Sequence, residues 1–271
     1  MKMEAAPGTN KVEVAGLGLE LWRAGRGRPL VFLHPGDGLD DSAPVVARLA
    51  EHYEVIAPSH PGFGGSDLPK KFTTVDDLAY FYLDFLEGQN LKDAVLLGVS
   101  FGAWIAAEII VKSSAQLSGL ILASALGAKF EGPRKREIAD LFSIPQYEQP
   151  QYLYQNAALQ NKDYASLPEE TLLKLARNFE SFARFGWSPT LHNPKLADRL
   201  HRIHLPTLVI SGENDRVVPS SYGRSFAQRI PGASFKIIEG AGHYAHVERP
   251  DAFVSAVDTF VNALPKSNKP N

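Results

Sequence analysis

"LLGVSFGAWIAAE" (residues 96–108) decides the reading of this chain. An unbroken apolar run ends in it and an alanine-rich run begins in it. Ser100 stands between them, with Gly98 two residues before and Gly102 two residues after. A short apolar run bounded by turn residues reads as a buried strand. Ala103, Ala106 and Ala107 then let a following helix pack closely on it. Ser100 is thus the residue at which strand becomes helix. So sharp a turn holds its central residue in an unfavourable backbone conformation, at a cost of ~1–3 kcal/mol. Side chains at 98 or 102 would collide where the two elements close up. A G-x-S-x-G turn between strand and helix stands its serine hydroxyl above the end of a sheet.

The same kind of run recurs on both sides. "PLVFL" (29–33), "EVIAPS" (54–59), "DAVLLGV" (93–99), "LSGLILAS" (117–124), "PTLVISG" (206–212) and "SFKIIEG" (234–240) read as strands. Most are near-continuously apolar, as strands buried on both faces of a parallel sheet are. Helical periodicity fills 42–52, 75–88, 101–113, 220–229 and 250–263, with Thr74 or Asp76 as a cap and Pro219-Ser220 as a helix opening. Strands alternating with helices predict an α/β fold with a mostly parallel sheet and helices on both faces. "KVEVAG" (11–16) and "LELWRAG" (19–25) alternate and predict an antiparallel edge hairpin. The alternation stops between about 127 and 200, where helical patterns are broken by Pro and Gly. We read 1–126 and 201–265 as the core, 127–200 as a helical cap inserted over the C-terminal edge of the sheet, and 266–271 as a disordered tail.

At 271 residues the chain can bury a large core without disulfides or metals, and it has no cysteine. That excludes a thiol nucleophile and fits a reducing compartment. A net charge of −2 leaves no basic surplus for phosphates, so nucleic acid is not an expected partner. No run of 18 apolar residues and no apolar leader is present, so no membrane partner is expected and the location read from the sequence is cytoplasmic. Oligomeric state, monomer or homodimer, is left open.

A serine hydroxyl needs a base within hydrogen-bond reach, and the base needs an orienting acid. In this strand–turn–helix context the chain order is Ser, Asp or Glu, His. "LVISGENDRVVP" (208–219) offers Asp215, with Glu213 as its rival; Asp215 is preferred because it lies further out in the loop. "IIEGAGHYAHVERP" (237–250) offers His243 in a Gly-rich loop, with His246 as its rival at a helix start. The backbone N–H groups of Phe101 and Gly36, with Asp37 as the alternative to Gly36, are the candidate donors to an oxyanion. His34 is read as bracing its turn.

Together "FLHPGDG", "HPGFGGSD", "GVSFGAW", "SGENDRVVP" and "GAGHYAHVE" resemble the α/β-hydrolase superfamily, in its order and over nearly all of 10–264. The resemblance implies an eight-stranded sheet, a helical cap after the sixth strand and no cofactor. It carries Ser100, Asp215 and His243 over as nucleophile, acid and base. The Ser at 100 departs from the Asp of haloalkane dehalogenases and epoxide hydrolases. The chain is also similar to the hydrolases that cleave carbon–carbon bonds in ring-cleavage products. Those carry Asn before the nucleophile and Trp after the histidine, where this chain has Val99 and Tyr244. Carboxylic esters, lactones or thioesters are therefore the expected substrates, with C–C hydrolysis and a slow-turnover ligand receptor as alternatives.

Phe179, Phe182 and Phe185 recur every three residues before Trp187. They are read as packing the cap on the core and walling a pocket. Trp187, Phe182 and Tyr244 are the candidate substrate-binding residues, for a small hydrophobic acyl or aromatic group. Arg134, Lys135 and Arg136 are read as a solvated helix face, and His201 and His204 as surface or hinge residues without a metal.

Overall fold

A computed structural model describes residues 8–132, 134–156, 159 and 163–265 of the chain. The tail read as disordered, 266–271, lies outside the described residues. Eight strands form one sheet: β1 (Gly8–Val14), β2 (Leu17–Ala24), β3 (Pro29–Leu33), β4 (Glu54–Pro58), β5 (Ala94–Val99), β6 (Leu117–Ala123), β7 (Thr207–Gly212) and β8 (Ser234–Ile238). Their order is β1-β2-β4-β3-β5-β6-β7-β8. Strand β2 runs antiparallel to both β1 and β4, and the other pairs are parallel.

The continuous apolar runs are explained by two cores. Along β3, Val31 and Leu33 point into one and Leu30 and Phe32 into the other. The first core lies under α2 (Val75–Gly88), α3 (Phe101–Ile110) and α7 (Ser220–Arg229). The second lies under α1 (Ala43–Leu49) and α9 (Pro250–Ala263). Helix α2 begins where its sequence says, at a capping box: Thr74 Oγ1 accepts from the Asp77 N–H at 3.2 Å, and the Asp77 carboxylate accepts from the Thr74 N–H at 2.8 Å.

Between β6 and β7 the chain leaves the sheet. It forms α4 (Gln149–Leu153), α5 (Glu169–Gly186) and α6 (Leu196–Arg199), with much irregular chain between them. Residues 134–136, expected on a helix, lie in a turn and irregular chain beside Gly132, and Lys135 pairs with Glu131. Helix α5 is the well-formed part and lies across the loops that follow β3 and β4. Arg177 donates to the carbonyls of Gly62 and Ser66, and Ser181 donates to that of Gly62. Asn178 donates to the Asp37 carbonyl and accepts from the Gly64 N–H. Among the described residues no helix is long and apolar enough to cross a membrane.

Candidate active site

Ser100 joins β5 to α3 with φ 54° and ψ −112°, a conformation rare for a residue with a side chain. Its backbone is pinned all round. The Ser100 N–H donates to the Ala123 carbonyl at 2.8 Å, and the Ser100 carbonyl accepts from Ala103 and Trp104 at 3.1 and 3.2 Å. A Cβ on Gly102 would run into the carbonyls of Leu33 and His34. One on Gly98 would run into the backbone of Gly102 and Ala103. Only glycine at both positions lets strand and helix approach this closely.

The loops after β7 and β8 bring two more residues to this turn. His243 Nε2 lies 2.8 Å from Ser100 Oγ, and His243 Nδ1 lies 3.0 and 2.9 Å from the two carboxylate oxygens of Asp215. Asp215 is itself held by the N–H groups of Val217 and Val218, both at 2.9 Å from Oδ1. Since Nδ1 faces a carboxylate, the proton belongs on Nδ1, and Nε2 is left to accept from the serine hydroxyl. All three side chains are buried. The rivals are engaged elsewhere. Glu213 accepts from the Gly240 N–H at 2.9 Å. His246, in the short helix α8 (Ala245–Glu248), bonds Ser42 Oγ at 3.0 Å, and burial lowers its pKa to about 3.

Phe101 is the first residue of α3, where helix N–H groups have no intrahelical acceptor. Gly36 is oriented by its neighbour. His34 Nδ1 donates to the Pro35 carbonyl at 2.7 Å, and the Gly38 N–H donates to the same oxygen at 3.1 Å. In a trans peptide the Gly36 N–H then points the opposite way. Behind His34 sits a buried relay that the motifs did not reveal. The His60 N–H donates to His34 Nε2 at 3.0 Å, His60 Nε2 donates to the His34 carbonyl at 2.9 Å, and the Tyr82 hydroxyl donates to His60 Nδ1 at 2.5 Å. Burial brings the His34 pKa down to about 4, puts that of His60 well below its ordinary value, and puts that of Tyr82 well above its own. Both imidazoles are neutral, as this donor–acceptor pattern requires. A signal was present: His-Pro-Gly occurs twice, at 34–36 and 60–62.

A cavity of about 110 Å³ adjoins the site, lined by Gly36, Leu153, Phe179, Phe182 and Tyr244 among others. The Phe182 ring lies over Gly36, 2.8 Å from where a Cβ would stand, and meets the Phe101 ring at 5.2 Å between centroids. Tyr244 is buried and hydrogen-bonded to Asp37; burial foremost, then the Asp37 charge, pushes its pKa well above the usual value. Trp187 is not with them. It is 63% exposed, its ring packs on Phe142 at 5.7 Å, and it lines no part of this cavity. It follows the last turn of α5, beyond the face that carries Phe182 and Phe185. The basic cluster 134–136 lines a separate hollow that shares no residue with the cavity.

Three likenesses accompany this geometry. A poly(3-hydroxyalkanoate) depolymerase of Ectopseudomonas oleovorans is 27% identical over 86% of this chain and 83% of its own. A 3-oxoadipate enol-lactonase of Acinetobacter baylyi is 25% identical over 82% and 83%. The crystal structure of a meta-cleavage product hydrolase superposes with a TM-score of 0.74 at 21% identity, over 94% of this chain and 98% of that one, a likeness of fold. The Alpha/beta hydrolase family matches residues 30–256, and the chain belongs to it.

Proposed function

We propose that the protein is a cofactor-independent serine hydrolase of carboxylic esters, lactones or thioesters that carry a hydrophobic acyl or aromatic group. The observation that carries this reading is the hydrogen-bonded chain Ser100–His243–Asp215 on a strained turn. Ser100 Oγ attacks the carbonyl carbon while its proton passes to His243 Nε2. Asp215 holds the imidazole and stabilises the cation that forms. The N–H groups of Phe101 and Gly36 receive the oxyanion. The leaving group departs with the proton from Nε2. His243 then deprotonates a water that releases the acyl group and restores Ser100. Residues 127–200 act as the cap, with Phe182 and Tyr244 walling the acyl pocket. Val99 and Tyr244, where the C–C hydrolases carry Asn and Trp, favour ester over C–C cleavage.

A series of p-nitrophenyl esters of graded acyl length, assayed with wild type and Ser100→Ala, tests this. Turnover in the wild type and a loss of several orders of magnitude in the variant are the expected results. Retention of more than a tenth of the activity by the variant rules this nucleophile out. A ring-cleavage dienoate hydrolysed faster than every ester moves the assignment to C–C hydrolysis.

A further inference from the structure

Two segments far apart in the chain close on one carboxylate. Glu248, the last residue of α8, accepts through Oε2 from the N–H of Gly242 at 2.6 Å and of Gln155 at 3.0 Å. Through Oε1 it accepts from the N–H of Asn156 at 2.9 Å. Gly242 precedes His243, whereas Gln155 and Asn156 follow α4 in the inserted segment. A second bond runs alongside: the Tyr244 N–H donates to the Leu153 carbonyl at 3.0 Å. On one side of His243, Tyr244 is thus bonded directly to the insert, and on the other, Gly242 shares the Glu248 carboxylate with it. The approach is close, since a Cβ on Gly242 would stand 2.7 Å from the Gln155 nitrogen and 2.8 Å from the Tyr154 carbonyl carbon. Buried Tyr154 meets the Tyr244 ring edge-on, with centroids 5.3 Å apart.

Hydrogen bonds to an ionised acceptor are about twice as strong as neutral ones. A carboxylate shared among three N–H groups ties the two segments together, and letting one go exchanges charge-assisted bonds for water. A reacting group displaced by about 1 Å costs roughly 10²-fold in rate. We infer that Glu248 is a positioning residue that clamps residues 153–156 of the insert to the His243 loop, so that His243 meets Ser100 only while that part of the insert is docked. The inference rests on the proposed roles of Ser100 and His243. Because Leu153 and Tyr244 also line the acyl cavity, filling the cavity and seating the imidazole are coupled, and the coupling runs both ways.

The test combines kinetics with hydrogen exchange. Glu248→Gln keeps one acceptor oxygen but turns an amide NH₂ toward an N–H donor; Glu248→Ala removes both oxygens. On a p-nitrophenyl ester, kcat falls ~10- to 100-fold in both, KM rises because Leu153 leaves the cavity wall with the undocked segment, and the melting temperature stays within a few degrees. Amide protection at Gln155, Asn156 and Gly242 is lost together. In the wild type, a fluorophosphonate adduct on Ser100 raises protection at Gln155 and Asn156, and in the variants it does not. Wild-type kcat in both variants overturns the clamp. So does a wild-type adduct that protects Gly242 but leaves Gln155 and Asn156 unchanged, a result that needs no variant to fold. Failure of the wild type to form the adduct overturns the serine-hydrolase reading instead, and the clamp with it.

Discussion

Around Ser100, the side-chain polar atoms of His34, His60, Asp215 and His243 each have a hydrogen-bond partner, and all of these residues are buried. In the inserted segment the balance is reversed. Of the seven large apolar side chains left exposed among the described residues, six belong to it: Tyr147, Leu159, Tyr164, Leu173, Phe179 and Trp187. The first region can keep its atoms in place without help from substrate, which is what electrostatic preorganisation needs. The second is also held to the core by hydrogen bonds from Arg177, Asn178, Ser181 and Arg184, and through Glu248. In the proposed function, reaction chemistry falls to the first region and substrate choice to the second.

Substitutions that strike the first region should do the most damage. Asp215→Asn removes the carboxylate that fixes the Nδ1–H tautomer, and kcat should fall by up to ~10⁴ with the fold intact. Steady-state rates with circular dichroism check this, and a near-neutral result would break the assignment of Asp215. Gly102→Ala places a methyl group against the carbonyls of Leu33 and His34. Overpacking of this kind costs ~1–3 kcal/mol, and the strained turn has no room to relax. Urea midpoints should shift accordingly, whereas Gly132→Ala, with open space around its Cβ position, should not move them.

The buried histidines make a prediction about acid. The His34 pKa is near 4 in the folded chain against 6.5 for an ordinary histidine, and the unfolded chain therefore binds more protons between those values. The stability that neutral His34 contributes is fully present above pH 6.5 and is lost as pH falls toward 4. The loss is about 3 kcal/mol, from 1.36 kcal/mol per pKa unit. His60 and His246 act in the same direction. A melting temperature that stays flat from pH 7 to 4.5 would contradict the buried relay. The smallest effect is expected at the second region's rim. Trp187→Ser should leave kcat/KM within about twofold and stability within ~0.5 kcal/mol. A tenfold rise in KM would return Trp187 to the pocket wall.

The same contrast explains how much was legible in the sequence. Each of the eight strands falls within a residue or two of its apolar run, apart from β1, which starts three residues earlier. Burial on both faces leaves a pattern that neighbouring residues carry by themselves. Ser100 was legible because its backbone strain demands glycines at 98 and 102, and His243 and Asp215 because chain order limits the rivals to one each. The relay through His60 and Tyr82 was harder to find, since it depends on side chains 22 and 26 residues apart. Only the repeated His-Pro-Gly hinted at it. Glu248 was not found at all. Its three partners are backbone N–H groups, and any sequence supplies those. In the insert, periodicity gives a face of α5 and says nothing of where that helix ends, so it does not show that Trp187 lies outside the cavity. Asn178 and Ser181, polar residues set in the apolar stripe of α5, were the overlooked sign of where that helix docks.

Ser100 is proposed to be an activated nucleophile. Treatment of the folded protein with a fluorophosphonate, followed by peptide mass mapping, tests it most directly. One adduct is expected, on Ser100, and its rate of formation should collapse in His243→Ala. An adduct on another residue, or none on folded wild-type protein, would contradict it.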